Sequence, residues 1–155
     1  MKIITRKVDN QPLTIIVEYP RMDKESERII EKIKHMDVHF IGKMEDKSTR
    51  IDISDVYYFE NVERKVFLYT RKDVFRFDGN MTDLDEMTIN TELVRVSRTC
   101  IMNTEHLKEI RQIKSSHLEA IMDNDEIIIV SRKYLIEWYK DINIISIVAA
   151  VGPKR

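Results

Sequence analysis

From Ile51 to Val130 the chain is a succession of short β-branched and aromatic runs separated by brief polar stretches. Runs of that length bury too little for independent helices. Their β-branched and aromatic content suits strands joined by tight hairpins. Residues 51–60, 65–70, 73–77, 93–103, 107–113, 117–122 and 126–130 are the strand candidates. Residues 61–64, Arg71-Lys72 and Asn124-Asp125 are the turns between them, the last pair tolerating positive φ better than most. One segment breaks the pattern: residues 81–87 read as a short helix capped by Asn80, with Leu84 and Met87 turned inward. The expected fold is mostly β with few short helices, an α+β arrangement of short sheets.

The two ends read differently. Residues 2–8 and 13–19 are rich in Ile, Val and Thr and flank Asp9-Asn10-Gln11-Pro12, which predicts two strands and a turn. Residues 23–36 have helical periodicity, with Asp23 as N-cap and Ile29, Ile30, Ile33 and Met36 on one face. Residues 42–50 are polar and read as a turn or linker. Residues 1–48 are therefore expected to form a small ββα extension that packs on the main domain or on a partner, and residues 49–155 the main domain. Near the C-terminus, residues 131–141 predict a helix beginning at Ser131, with Tyr134, Leu135 and Trp138 inward. The apolar tail after it suits a strand, a helix or a dimer contact.

Charge and composition remove several function classes. The formal net charge of the 155 residues is -1, so the chain has no basic excess to mark a nucleic-acid binder. A third of the residues are charged and 43% are hydrophobic, as a soluble packed domain requires. The single Cys100 cannot close an internal disulfide. The four histidines are scattered without metal-ligand spacing, so neither a metal nor a cofactor is expected. Phosphate-binding glycine loops and the nucleophile elbow are absent, and no nucleophile–base pair stands out, so no catalytic residue is expected and the chain reads as a non-enzyme. No leader is apparent and no apolar run reaches the roughly 20 residues of a membrane span, which predicts a cytoplasmic protein without a small-molecule substrate.

Four segments, in order, resemble the LytTR DNA-binding family of bacterial transcription regulators. They are Asp55-Val56-Tyr57-Tyr58-Phe59-Glu60 with the hairpin after it, the short helix around Leu84, Arg95-Val96-Ser97-Arg98-Thr99-Cys100-Ile101-Met102-Asn103, and Val130-Ser131-Arg132-Lys133-Tyr134. The third is similar to the family's Arg-x-x-Arg-Ser-x-x-Val-Asn and the fourth to its Val-Ser-Arg-x-Tyr. The resemblance implies loop side chains inserted into successive major grooves of a bent duplex. It places Arg64 and Lys65 of the hairpin, Ser97, Arg98 and Thr99 of the third segment, and Arg132 and Lys133 of the last helix against DNA. It also implies promoter repeats bound by a homodimer. Only about 50 residues precede the match, so a phosphoreceiver domain is not expected. The arrangement is similar to stand-alone regulators whose partner is often a membrane protein. Lys65 stands where the family often has an uncharged or His side chain, Thr99 replaces Ser, Cys100 replaces an aromatic and Asp125 replaces a turn Gly.

The chemistry suits these residue types. Arginine can grip guanine bidentately or clamp a phosphate. Hydroxyls bond phosphates or base edges. A helix start such as Ser131-Arg132-Lys133 attracts phosphate through its free N–H groups. Solvated surface charge is the ordinary alternative for each cation. Arg95, alternating with Val94 and Val96, either faces outward, toward DNA or solvent, or pairs with an acid. Asn103 reads as closing a turn, His106 beside Glu105 as a loop pair, and Cys100 as buried and inert. A competing function is a protein-interaction module that has lost DNA affinity and titrates a partner.

Overall fold

The computed structural model describes residues 1–114 and 117–134. Its elements are α1 (Lys24–Lys34), β1 (His39–Met44), β2 (Lys47–Asp52), β3 (Tyr58–Val62), β4 (Lys65–Tyr69), β5 (Val74–Phe77), α2 (Met81–Met87), β6 (Leu93–Ser97), β7 (Cys100–Asn103), β8 (Leu107–Lys114), β9 (His117–Met122) and β10 (Ile127–Ser131). Strands β2-β1-β5-β4-β3-β7-β6 form one antiparallel sheet and β10-β9-β8 a second. The fold is the expected one, mostly β with few short helices.

Strand β7 shows how the sheets share a core. All four of its residues are buried. Period-2 alternation sends Cys100 and Met102 to a cluster with Val96, Ile110, Leu118, Ala120, Met122 and Val130, which joins the two sheets. Ile101 points the other way, among Phe40, Phe59, Leu68, Phe77 and Leu84. A strand covered on both faces loses its polar alternation, which explains the continuous apolar run in the sequence. Gly42 is required where β1 crosses this second cluster, because a Cβ there would lie 2.6 Å from Ile51 and 2.7 Å from Phe75.

Both helices begin as their caps dictate. Asp23 accepts from the Ser26 N–H at 2.8 Å, and those Ser26 bonds hold its carboxyl below the usual range. Asn80 and Asp83 form a reciprocal capping box at 2.8 and 2.9 Å. On α2, Leu84 is buried as expected, but Met81 is its companion and Met87 is exposed. On α1 the isoleucine stripe is only half-buried, and Met36 lies beyond the helix in solvent.

Three sequence expectations need correction. Residues 2–8 and 13–19 form no ladder with any described strand, so only the helix of the ββα unit is present; strand-forming composition does not by itself supply a partner. Residues 42–50 are not a linker. They contribute to the β1–β2 hairpin, which turns through Glu45 at φ 53° and spans residue 48. Residues 51–60 are not one strand, since a 3-10 turn at Ile53–Asp55 separates β2 from β3. Helical backbone starts after Ser131 and is described to Tyr134; Leu135, Trp138 and the apolar tail lie outside the described residues.

Candidate nucleic-acid interface

Two tight turns meet at one end of the large sheet. The β3–β4 hairpin closes on the Val62–Lys65 pair, with Glu63 and Arg64 both at positive φ, 50° and 65°. Such a two-residue turn matches the twist of the flanking strands. The β6–β7 hairpin closes on the Ser97–Cys100 pair, with Arg98 and Thr99 at its tip. The Asn61 N–H donates to the Thr99 carbonyl at 2.8 Å, which ties the two turns side by side.

The second turn is braced by an arginine that is not itself at the tip. Arg95 donates from Nε to the Ser97 carbonyl at 2.9 Å and from Nη2 to the Arg98 carbonyl. Its Nη1 reaches Asp85 of α2 at 2.8 Å. Of the alternatives open in the sequence, pairing with an acid is therefore the one observed. The Ser97 hydroxyl accepts from the Thr99 N–H at 3.3 Å and tightens the turn further.

The third segment joins through a cleft of about 340 Å³ between the sheets. Ser97 and Thr99 form part of its wall, facing His117 and Ser131, which pair across β9 and β10. Arg132 and Lys133 follow Ser131 at the helix start, both exposed, with the Lys133 ammonium 5.9 Å from the Tyr134 ring centroid. The structure thus brings Ser97, Thr99 and the entry to Arg132 and Lys133 around one cleft, with Arg64 and Lys65 on the adjoining turn. Among the described residues, no carboxylate pairs with Arg64, Lys65, Arg98, Arg132 or Lys133.

Several acidic groups of the sheet and of α2 have partners of their own. Asp85 holds Arg95, Asp78 holds Lys43, Asp83 caps α2 and Asp52 lies 3.4 Å from Arg50. Glu63 stands exposed beside Arg64 in the β3–β4 turn, and Glu60 lines the cleft, where its carboxylate accepts from the Tyr69 hydroxyl at 3.1 Å. That bond and burial push the Tyr69 phenol up to about 12, with burial the larger cause. Ser131 stands where the sequence put a helix start, whereas Glu60 and His117 carry no signal of their own as site residues in the sequence. Period-2 alternation along β3 would have placed Tyr58 and Glu60 on one face, but not against which neighbours.

A separate cluster sits at the other end of β3. Tyr57, just before β3, stacks on His106 with ring centroids 4.0 Å apart. Its hydroxyl donates to Asp123, while Arg71 donates to the Tyr57 oxygen at 3.0 Å and His106 Nδ1 lies 3.1 Å from Asp123. His106 Nε2 lies 2.6 Å from the Ser54 carbonyl. His106 is therefore not a loop pair with Glu105, which instead binds Lys32 at 2.9 Å and so anchors α1. This cluster latches the β9–β10 turn to the large sheet. Asn103 is the buried counterpart. Its Nδ2 donates to the carbonyls of Ile53 at 3.1 Å and Val56 at 2.8 Å, and its Oδ1 accepts from the Glu105 N–H at 3.0 Å.

The geometry is that of a β-rich module presenting turns and one helix start around a cleft, a binding surface rather than a reaction centre. Among the described residues no group of three or more His, Cys, Asp or Glu is placed to hold a metal, and no helix is long and apolar enough to cross a membrane. Comparison with known proteins gives the family. Residues 46–142 match the LytTr DNA-binding domain model. The sensory transduction protein LytT of Enterococcus faecalis is 23% identical over 94 residues, covering 61% of this chain and 39% of that protein. The solved LytTr DNA-binding domain of a Bacillus cereus protein superposes with a TM-score of 0.62 at 22% identity, covering 66% of this chain and 94% of that one. The chain belongs to the LytTr DNA-binding domain family. It spans well under half the length of the curated relative it matches.

Proposed function

We propose that the protein is a sequence-specific, double-stranded DNA-binding transcription regulator that works in the cytoplasm as a homodimer on promoter repeats. Arg64 and Lys65, Ser97, Arg98 and Thr99, and Arg132 and Lys133 enter successive major grooves. The observation that supports this reading is the gathering of three segments at one end of the fold, with five cations that no described carboxylate neutralises. A cation left without an acid partner is available for phosphate or for guanine O6 and N7. Glu60 in the cleft repels phosphate, so the backbone runs along the turns and the base edges face the cleft.

The test is selection of bound duplexes from a random pool, followed by titration across salt. If all five cations met phosphate, the log–log salt slope would be about -4.5 per protomer, from about -0.9 per contact. Substituting one of them by Ala should remove about 0.9 from the slope if it binds phosphate, or cost about 1–3 kcal/mol at one base position if it reads a base. Equal affinity for selected and scrambled duplexes would defeat the sequence-specific reading. No retarded duplex at any salt, with another protein still captured, would favour the interaction-module reading. A membrane protein as regulatory partner belongs to the same proposal, and co-purification from solubilised membranes tests it.

A further inference from the structure

The first 22 residues pose a separate problem. Nine large apolar side chains there are exposed: Met1, Ile3, Ile4, Val8, Leu13, Ile15, Ile16, Tyr19 and Met22. They are half of all such residues on the described surface, where 18 are exposed in total. Leu13 is 96% and Ile16 79% exposed. No ladder and no backbone–backbone hydrogen bond engages this segment. Extended, strand-forming sequence with unpaired backbone groups is a template for pairing with another strand.

We infer that residues 13–19 pair antiparallel with the same residues of a second copy of this chain, centred on Ile16. The segment is self-complementary in that register. Across the two-fold axis Leu13 faces Tyr19, Thr14 faces Glu18, Ile15 faces Val17, and Ile16 faces itself. Alternation then gives one wholly apolar face of Leu13, Ile15, Val17 and Tyr19 from both copies. The only charge in the run, Glu18, meets Thr14, so no like charges are opposed. Residues 2–8 do not self-pair as well, because they carry Lys2, Arg6 and Lys7 and no acid.

Each large apolar side chain removes on the order of 60–120 Å² of apolar surface when buried. The five apolar side chains of residues 13–19 therefore offer on the order of 300–600 Å² per protomer, which reaches the low end of specific interfaces at about 600 Å² per partner. The pairing holds whether or not the protein binds DNA.

Cysteine pairing reads the register. In a Cys100→Ala background of the full chain, Ile16→Cys should crosslink to its own copy under mild oxidation, because opposed Cα atoms lie about 4.5–5.5 Å apart. Leu13→Cys should not crosslink alone, its copies being about 20 Å apart at the strand rise. An equimolar mixture of Leu13→Cys and Tyr19→Cys chains should form the mixed disulfide. Ile16→Lys opposes two ammonium groups at the axis and should weaken the dimer by at least about a hundredfold in sedimentation equilibrium without DNA. A monomeric full chain at tens of micromolar would overturn the inference. So would a dimer that survives Ile16→Lys, or a Leu13→Cys chain that crosslinks as readily as Ile16→Cys.

Discussion

Asn103 offers the sharpest test of the distinction between residues that build the interface and residues that touch DNA. It lies inside the matching motif, at the end of β7, and is 1% exposed. Its side chain bonds three backbone groups, the carbonyls of Ile53 and Val56 and the N–H of Glu105. Asn103→Ala removes all three bonds. The Val56 carbonyl is then left in a buried position, which costs about 1–3 kcal/mol, while the other two groups can recruit water at about 0.5–1.5 kcal/mol each. The sum is about 2–6 kcal/mol out of a typical total of about 5–15. For a chain of this size that lowers the melting temperature by about 6–18 °C. Asn103→Asp should be worse than Ala. It keeps the acceptor for Glu105 but replaces the amide donor with a carboxylate oxygen facing two carbonyls.

The assay is urea unfolding of both variants, with duplex binding measured per folded molecule. The expected order of stability is Asn, then Ala, then Asp, with DNA affinity unchanged once the folded fraction is counted. A destabilisation below about 1 kcal/mol would show that the three bonds do not hold the segment between β2 and β3. Unchanged stability with lost DNA binding would make Asn103 a DNA contact and refute the reasoning.

Arg95→Ala should lower stability by about 1–2 kcal/mol, its exposed Asp85 partner being discounted for solvent, and weaken DNA binding without changing the salt slope, whereas Arg98→Ala should change the slope; slopes from titrations at several salt concentrations separate them. Cys100 is 7% exposed and burial pushes its thiol up, so a thiol reagent should modify the native chain at least about a thousandfold more slowly than the unfolded chain, with a rate that follows denaturant stability. The Tyr57 hydroxyl, and after it His106, hold the Asp123 carboxyl below its usual 3.8. A depressed carboxylate contributes stability that is present above the unfolded value and lost as pH falls through the folded one, so Asp123→Asn should flatten the loss of stability below about pH 4 in acid titrations followed by near-UV circular dichroism.

Local chemistry made much of this fold readable in the sequence. Asp23 and Asn80 announce their helices because a cap acts on N–H groups two or three residues away. Most hairpins between Ile51 and Val130 are readable for the same reason. The β1–β2 hairpin is not, because β2 is an edge strand with only Ile51 buried, held by its ladder rather than by an apolar face. Residues 2–8 and 13–19 fail the opposite way: their composition is strand-like, but composition does not choose a partner, and none of the described strands pairs with them. The candidate interface was legible as three segments, not as a surface. Joining them depends on the Asn61–Thr99 bond and on the contact of β9 and β10 with the large sheet, which are non-local.

The two arginines of the Arg-x-x-Arg segment show why net charge is a poor guide to binding. In sequence Arg95 and Arg98 are equivalent cations three residues apart. Folding spends the first on two turn carbonyls and on Asp85, and leaves the second exposed at the tip that the first has shaped. The ten acidic and seven basic residues between 51 and 100 give that stretch a charge of -3, yet five of those acids are held by Lys32, Lys43, Arg50, Arg95 and a helix cap. What remains at the end of the sheet is a set of cations without described acid partners on a protein that is neutral as a whole. Electrostatic attraction to a polyanion depends on that local remainder within about a Debye length, roughly 8–10 Å, and not on the sum over the chain.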